Sequence, residues 1–304
     1  MGRVAFIFPG QGSQYVGMAR DFFDHDPDSR RFMERADEIL GVPLSRICFE
    51  GPEDELRQTQ YTQPAIFLHS IVAARRISGV KPEMVAGHSL GEYTALVVAG
   101  AIDFDEALRL VRLRGQLMQR AGEEQKGTMA AVVGLSPTIV EEICRATSAI
   151  VQPANLNSPG QIVISGSVEG VQQAMEAARR QGAKMVKELI VSGAFHSPLM
   201  QSAGEGLKQG LDRASIRDAL IPVYANVSAE PVTRADQIRE MLHRQLTSAV
   251  QWEQTILNMV RDGATRFIEV GPGKVLQGLV KRTTSSAQVN GIDKFSEVPA
   301  EGTS

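Results

Sequence analysis

A serine enclosed by two glycines, Gly87-His88-Ser89-Leu90-Gly91, is the stretch of this sequence best suited to covalent chemistry. An apolar run, Glu83 to Ala86, precedes it, and a helical run, Leu90 to Ala99, follows. Gly-x-Ser-x-Gly in a strand-to-helix setting predicts a nucleophile elbow. The turn is sharp, so Gly87 and Gly91 let neighbouring backbone approach. Ser89 then stands at the amino end of a helix, where the N–H of Leu90 is placed to receive a developing oxyanion. A plain glycine-rich turn with a solvated serine is the competing reading of the same five residues.

A serine hydroxyl needs a base to take its proton, and histidine is suited to that near neutral pH. His88 is next to Ser89, and adjacent residues on an elbow point apart. His69 lies in an apolar helix and reads as a core residue, while His25 and His243 read as surface positions. His196 lies in the loop Ser192-Gly193-Ala194-Phe195-His196, just before a helix opened by Ser197-Pro198. It is the candidate base. No acidic residue stands out as a third member, so an amide or a backbone carbonyl is left to orient the imidazole.

Arg114 is an anomaly of pattern. Its neighbours at three and four residues, Leu110, Val111, Leu117 and Met118, are all apolar, so it sits in the stripe that should face the core. An internal ion pair or a snorkelling side chain is the ordinary explanation. A carboxylate clamp in a pocket is the functional one.

The elements that must carry these residues alternate between strand and helix. Val4 to Phe8 predicts a buried strand, and Pro9-Gly10-Gln11-Gly12-Ser13-Gln14 a tight loop at its end, where ligands bind in α/β folds. Gln11, between glycines, is the amide most exposed to such a site. Gln63 precedes Pro64 and is expected to be extended, either facing the site or purely structural, with a buried helix over 65–77. Asp103 and Glu106 predict a capping box for a helix from Phe104 to about Ala121. Residues 127–191 read β-α-β-β-α-β, a ferredoxin-like order, inserted between segments 1–126 and 192–282 that belong together. Residues 283–304 are polar and poorly patterned and are expected to form a loose tail.

Composition narrows the class. With 304 residues, 43% hydrophobic and 22% charged, the chain is an ordinary globular protein. A net charge of -3 argues against a nucleic-acid binder, and no apolar run is long enough to span a membrane. No signal peptide is visible, and Cys48 and Cys144 have no close partner, so reduced thiols and a cytoplasmic location are expected. A monomer is expected as well. The histidines have no metal-ligand spacing.

Seven motifs carry a resemblance: Phe-Pro-Gly-Gln-Gly-Ser-Gln at 8–14, Gly-His-Ser-Leu-Gly-Glu-Tyr at 87–93, Arg114 before Gly115, Asn-Leu-Asn-Ser-Pro-Gly-Gln at 155–161, Gly-Ala-Phe-His at 193–196, Val-Gln-Trp at 250–252 and Glu-Val-Gly-Pro-Gly at 269–273. In this order and spacing, from about Val4 to Arg282, the chain resembles the malonyl-CoA:acyl carrier protein transacylase family. The resemblance implies an α/β-hydrolase-like large domain interrupted by the ferredoxin-like one. It implies ping-pong transfer from malonyl-CoA to acyl carrier protein, with Ser89 as nucleophile, His196 as base and acid, and no cofactor beyond the CoA of the substrate. It assigns the oxyanion hole to Gln11 and the Leu90 N–H, the malonyl carboxylate to Arg114, and the orientation of His196 to Gln251 in a Ser-His dyad. Phe195, with His88, Gln63 and Asn157, is placed as a candidate lining of the acyl pocket. An esterase or thioesterase is the rival, a docking scaffold a weaker one, and a polyketide rather than fatty acid pathway stays open. Lys184, Lys187, Lys281 and Arg282 are candidate contacts for an acidic carrier protein.

Overall fold

Val4 to Phe8, an unbroken apolar run, becomes an interior strand of the larger of two sheets. In the computed structural model, which describes residues 2–299, the strands follow in chain order. They are β1 (Arg3–Phe8), β2 (Met84–Gly87), β3 (Gly127–Val133), β4 (Val151–Ser158) and β5 (Gln161–Ser167). Then come β6 (Met185–Glu188), β7 (Val223–Tyr224), β8 (Pro231–Val232), β9 (Ala264–Val270) and β10 (Gln288–Ile292). The larger sheet runs β10-β9-β1-β2-β7-β8, parallel except for β8 at its edge. The smaller runs β4-β5-β3-β6 and is antiparallel throughout.

Each sheet has its own apolar packing. Side chains of β3 and β5, among them Ala130, Val132, Ile162 and Ile164, pack with Val140, Ile143, Val171 and Ala174 of the helices Pro137–Ala146 and Val168–Arg180. Those helices start where the sequence predicts, with Ser136 and Ser167 each accepting a backbone N–H. β4 ties the smaller sheet to the segment ahead of the helix Trp252–Arg261. Leu156 N–H donates to Val250 O at 2.9 Å, and Val250 N–H to Ala154 O at 2.8 Å. Gln152 Nε2 donates to His196 O at 2.8 Å and to Thr247 O at 3.2 Å, so β4 also holds the loop carrying the candidate base.

Several expectations are corrected. The helix expected over 65–77 starts six residues earlier, as Thr59–Arg76, with Pro64 inside it, so Gln63 is helical rather than extended. A proline removes the hydrogen bond to the carbonyl four residues back, that of Gln60. Here that carbonyl accepts from Arg112 Nη1 at 2.6 Å, and a tertiary contact replaces the missing donor. The capping box at Asp103 does not form: its side chain pairs with Arg217 at 2.5 Å and makes no cap bond.

The loose tail is also corrected. Gln288–Ile292 forms β10, in parallel register with β9 from Gln288 opposite Arg266 to Ile292 opposite Val270. Asp293 then accepts from Tyr15 at 2.7 Å through its side chain and meets His69 Nε2 at 2.9 Å through its carbonyl. An edge strand needs apolar side chains on one face only, and the two in Gln-Val-Asn-Gly-Ile are too few to show a period. Residues 300–304 lie outside the described part of the chain.

Candidate active site

β2 ends at Gly87 and the helix Gly91–Val98 begins four residues later, which leaves Ser89 at the apex of the turn with φ 52°. A left-handed serine costs about 1–2 kcal/mol, so the surroundings must hold it. Asn226, just past β7 and 1% exposed, does so from both sides. Its Oδ1 accepts the Ser89 N–H at 2.6 Å and its Nδ2 donates to Gly87 O at 2.7 Å. Both elbow glycines are required. A Cβ on Gly87 would run into the Gly91 carbonyl, and one on Gly91 into Phe8 O at the end of β1.

Ser89 Oγ lies 2.7 Å from His196 Nε2. On its other side the ring is set by two carbonyls, Gln245 O at 2.9 Å and Ser248 O at 3.2 Å from Nδ1. Two acceptors there place the proton on Nδ1 and leave the Nε2 lone pair for the serine hydroxyl. Burial pushes the His196 pKa down to about 3, and the Arg114 charge acts in the same direction, so the resting ring is neutral. The position assigned to Gln251 is corrected. Its N–H donates to Asn226 O at 2.9 Å where it begins the helix Trp252–Arg261, and the carbonyls at the imidazole belong to residues six and three earlier.

Arg114 projects from the helix Phe104–Glu124 and is wholly buried. Nη1 donates to Gln63 Oε1 at 2.7 Å, and Nη2 to Ser89 Oγ and to Gln245 Oε1, both at 3.0 Å. Its Nε has no partner among the described residues. The periodicity anomaly is therefore real burial. It is neither a snorkelling side chain nor a direct ion pair, because every acceptor is uncharged. Gln63, expected as a lining or structural residue, is a ligand of this arginine, and its Nε2 rests 3.1 Å from Met118 Sδ.

Ser89, Leu90, Gln11, Gln63, His88, Arg114, Phe195 and His196 line one cavity of about 120 Å³. A second, of about 230 Å³, shares Gln11, His88, Asn155 and Leu189 with it and reaches Asn157, Gln161 and Arg282. Asn157 belongs to the second, where its Oδ1 is bonded to His88 Nε2 at 2.9 Å. Burial lowers the pKa of His88, so this pair is neutral. Gln11 Nε2 is 3.3 Å from Thr59 Oγ1, and its Oε1 is buried without a partner among the described residues. A larger groove between the two helices of the smaller sheet contains none of these residues. Among the described residues no cluster of three or more His, Cys, Asp or Glu is placed to share a metal ion, and no helix is long and apolar enough to cross a membrane.

Sequence reasoning missed three residues here: Gln245, Glu92 and Asn226. Gln245 Nε2 donates to Ser89 O at 2.9 Å and to Glu92 Oε2 at 2.8 Å, while its Oε1 serves Arg114 and its carbonyl serves His196. A signal for it exists. Ile238, Leu242 and Gln245 are the buried positions of the helix Ala235–Gln245, so a polar residue stands on the apolar stripe, as Arg114 does in its own helix.

Elbow and base are the parts of a serine acyl-transfer site, and residues 5–300 match the family model described as acyl transferase domain. A malonyl CoA-acyl carrier protein transacylase of Bacillus subtilis is 46% identical over 93% of this chain and 90% of its own. The solved structure of the malonyl CoA-acyl carrier protein transacylase from Coxiella burnetii superposes with a TM-score of 0.93 at 40% identity, covering 96% of this chain and 94% of that one. A malonyl-transacylase solved in complex with a type II PKS acyl-carrier protein gives 0.94 at 38% identity, with 97% of each chain covered. The chain belongs to the malonyl CoA-acyl carrier protein transacylase family.

Proposed function

We propose that this protein moves a malonyl group from malonyl-CoA to the phosphopantetheine thiol of an acyl carrier protein through malonyl-Ser89. Ser89 Oγ attacks the thioester carbonyl as His196 Nε2 takes its proton. The tetrahedral oxyanion is met by the Leu90 N–H and the Gln11 amide, which turns from Thr59 for the purpose. Collapse breaks the C–S bond, and His196 returns the proton to the CoA sulfur. In the second half His196 takes the proton of the carrier thiol, the sulfur attacks the ester, and Ser89 leaves with that proton. Arg114 holds the malonyl carboxylate. No cofactor enters these steps. The single observation that carries the reading is the placement of Arg114 Nη2 and His196 Nε2 on the same Ser89 Oγ, at 3.0 and 2.7 Å. A base and an anion receptor then serve one nucleophile.

The frame supports the same reading. The parallel sheet with its elbow is read as an α/β-hydrolase-like catalytic domain over 1–126 and 192–282, and residues 127–191 as an inserted ferredoxin-like domain. The second cavity, lined by Asn155, Asn157 and Gln161, offers amide partners to a pantetheine arm. The carrier-bound relative is the reason to keep polyketide as well as fatty acid carriers among the acceptors.

Intact-mass analysis after mixing with malonyl-CoA is the test. One malonyl adduct is expected on wild type and none on Ser89→Ala. Added carrier protein should then take the group. Release as free malonate at the same rate with and without carrier identifies a thioesterase and overturns the proposal.

A further inference from the structure

Every acceptor bonded to the buried Arg114 guanidinium is neutral, and a cation so placed is costly unless an anion stands near. The anion is one amide away. Glu92, in the helix that follows the elbow and 3% exposed, accepts from Gln245 Nε2 at 2.8 Å and from the Asn226 N–H at 3.1 Å. The other end of that same Gln245 amide accepts from Arg114 at 3.0 Å. We propose that Glu92 is the resting counter-charge of Arg114, and that the substrate carboxylate replaces it, Glu92 taking up one proton from solvent as malonyl binds. This rests on the reading that Arg114 holds the malonyl carboxylate.

The argument is one of charge count in a dry place. With malonyl bound, two carboxylates share one guanidinium, and the one that grips it directly holds the better position. The other is left buried without a counter-ion, which favours its neutral form. Glu92 is already close to that state: burial raises its pKa to about 7, against the lowering effect of Gln245, the Asn226 N–H and Arg114. The remaining neighbours supply no second cation: on the two helices packed against this one, Arg112 is bonded to Gln60 O, Arg76 lies by Asp26, and Arg75, Arg109 and Arg120 are exposed. His88 at the elbow, His196 beside Gln245 and His69 on the Thr59–Arg76 helix are each held neutral by burial, and Tyr93 in the same helix keeps its proton. Of the strands packed against this helix, β2 has no ionisable side chain. β7 brings Tyr224, bonded to Asp262, and β1 brings Arg3 at its far end, beside Gly263. An acetyl group carries no carboxylate and leaves Glu92 and Arg114 as they are.

Calorimetric titration at pH 8, in two buffers of different ionisation enthalpy, counts the protons. The Ser89→Ala enzyme, which cannot be acylated, is titrated with malonyl-CoA and with acetyl-CoA. Malonyl-CoA should take up close to one proton more than acetyl-CoA, a difference that Glu92→Gln in the same background removes. Equal uptake for the two ligands overturns the proposal. In the active enzyme, the malonyl over acetyl ratio of kcat/KM should fall as pH rises above about 7, by up to about tenfold per pH unit, and stay level in Glu92→Gln. Effects on His196 cancel in this ratio, because both substrates use it. Should Glu92→Gln fail to fold, the wild-type profile decides alone, and a level ratio sinks the idea. An unchanged ratio in Arg114→Ala would remove the clamp and this inference with it. A collapsed ratio there, with matching pH profiles in wild type and Glu92→Gln, would remove this inference only.

Discussion

Arg114 distinguishes malonyl from acetyl by a group only malonyl has. A guanidinium grips both carboxylate oxygens, and a lysine ammonium does not. Acetyl offers it no carboxylate and leaves it on its neutral acceptors with Glu92 one amide away, so the wrong group gains no charged contact. Arg114→Ala is therefore expected to lower the malonyl over acetyl ratio of kcat/KM by about 100-fold, from roughly 3 kcal/mol of lost charged contact. Arg114→Lys should recover part of it. If both activities fall together, the arginine is structural. His196 carries a pH consequence. Its folded pKa of about 3 lies below the usual 6.5, so the native state prefers the neutral ring. That preference contributes stability in full above about pH 6.5, and it is lost as pH falls through 6.5 toward 3. Denaturant unfolding at pH 7.5 and 4.5 should show wild type losing more stability on acidification than His196→Asn, which has no proton to gain. At this scale the serine, the histidine and the arginine were legible because each breaks its local pattern. Glu92 was not, because a glutamate in the first turn of a helix is ordinary, and only its 3% exposure shows otherwise.

Elements succeed or fail by how closely their backbones approach. β1, β2 and the helix after the elbow come together where Gly87 and Gly91 leave no room for a Cβ. Gly87→Ala is expected to destabilise the fold by about 3 kcal/mol or more, since the atoms in its way are backbone and cannot swing aside. Gly204, in the helix Gln201–Arg213, meets only Thr247 Cγ2 at 3.9 Å. Gly204→Ala should instead stabilise by about 0.5–1 kcal/mol. Thermal melts of the two variants test the contrast, and equal shifts would count against the elbow geometry. Glu269 gives a similar local account of the Gly271-Pro272-Gly273 turn. Buried at the end of β9, it accepts from Leu276 and Gln277 N–H at 3.0 and 3.1 Å, and so caps the final helix Val275–Thr283.

The molecule as a whole joins a reaction cavity to a surface entrance, and Arg282 stands at that entrance with Lys281 beside it, both exposed. An acidic carrier protein is attracted to such a point through charge that salt screens. Charge reversal at Lys281 and Arg282 together should raise the KM for carrier protein about tenfold at low salt and less at high salt, and by more than it raises the KM for malonyl-CoA, whose pantetheine arm shares the cavity that Arg282 lines. Equal carrier kinetics in both salts would move the docking surface elsewhere. Truncation before Gln288 tests the other end of the frame. It removes β10 and uncovers the edge of β9, and is expected to lower the melting temperature and promote association.

The sequence by itself marked Ser89, His196 and Arg114 as candidates for chemistry and predicted most of the order of strands and helices as far as Thr283. Apolar runs, alternation and turn residues act over a few positions, and an elbow, a capped helix or a misplaced arginine shows within that span. The tertiary structure decided what depends on distant partners. Gln60 keeps its helix past Pro64 because Arg112 reaches its carbonyl. The last strand forms because β9 offers an edge. The imidazole is oriented by Gln245 and Ser248 rather than Gln251 because carbonyl direction follows the path of the backbone, and residue type carries no record of it. Gln245 ties Arg114, Glu92, Ser89 and His196 together from 49 to 156 residues away in the chain, a separation over which no local pattern extends.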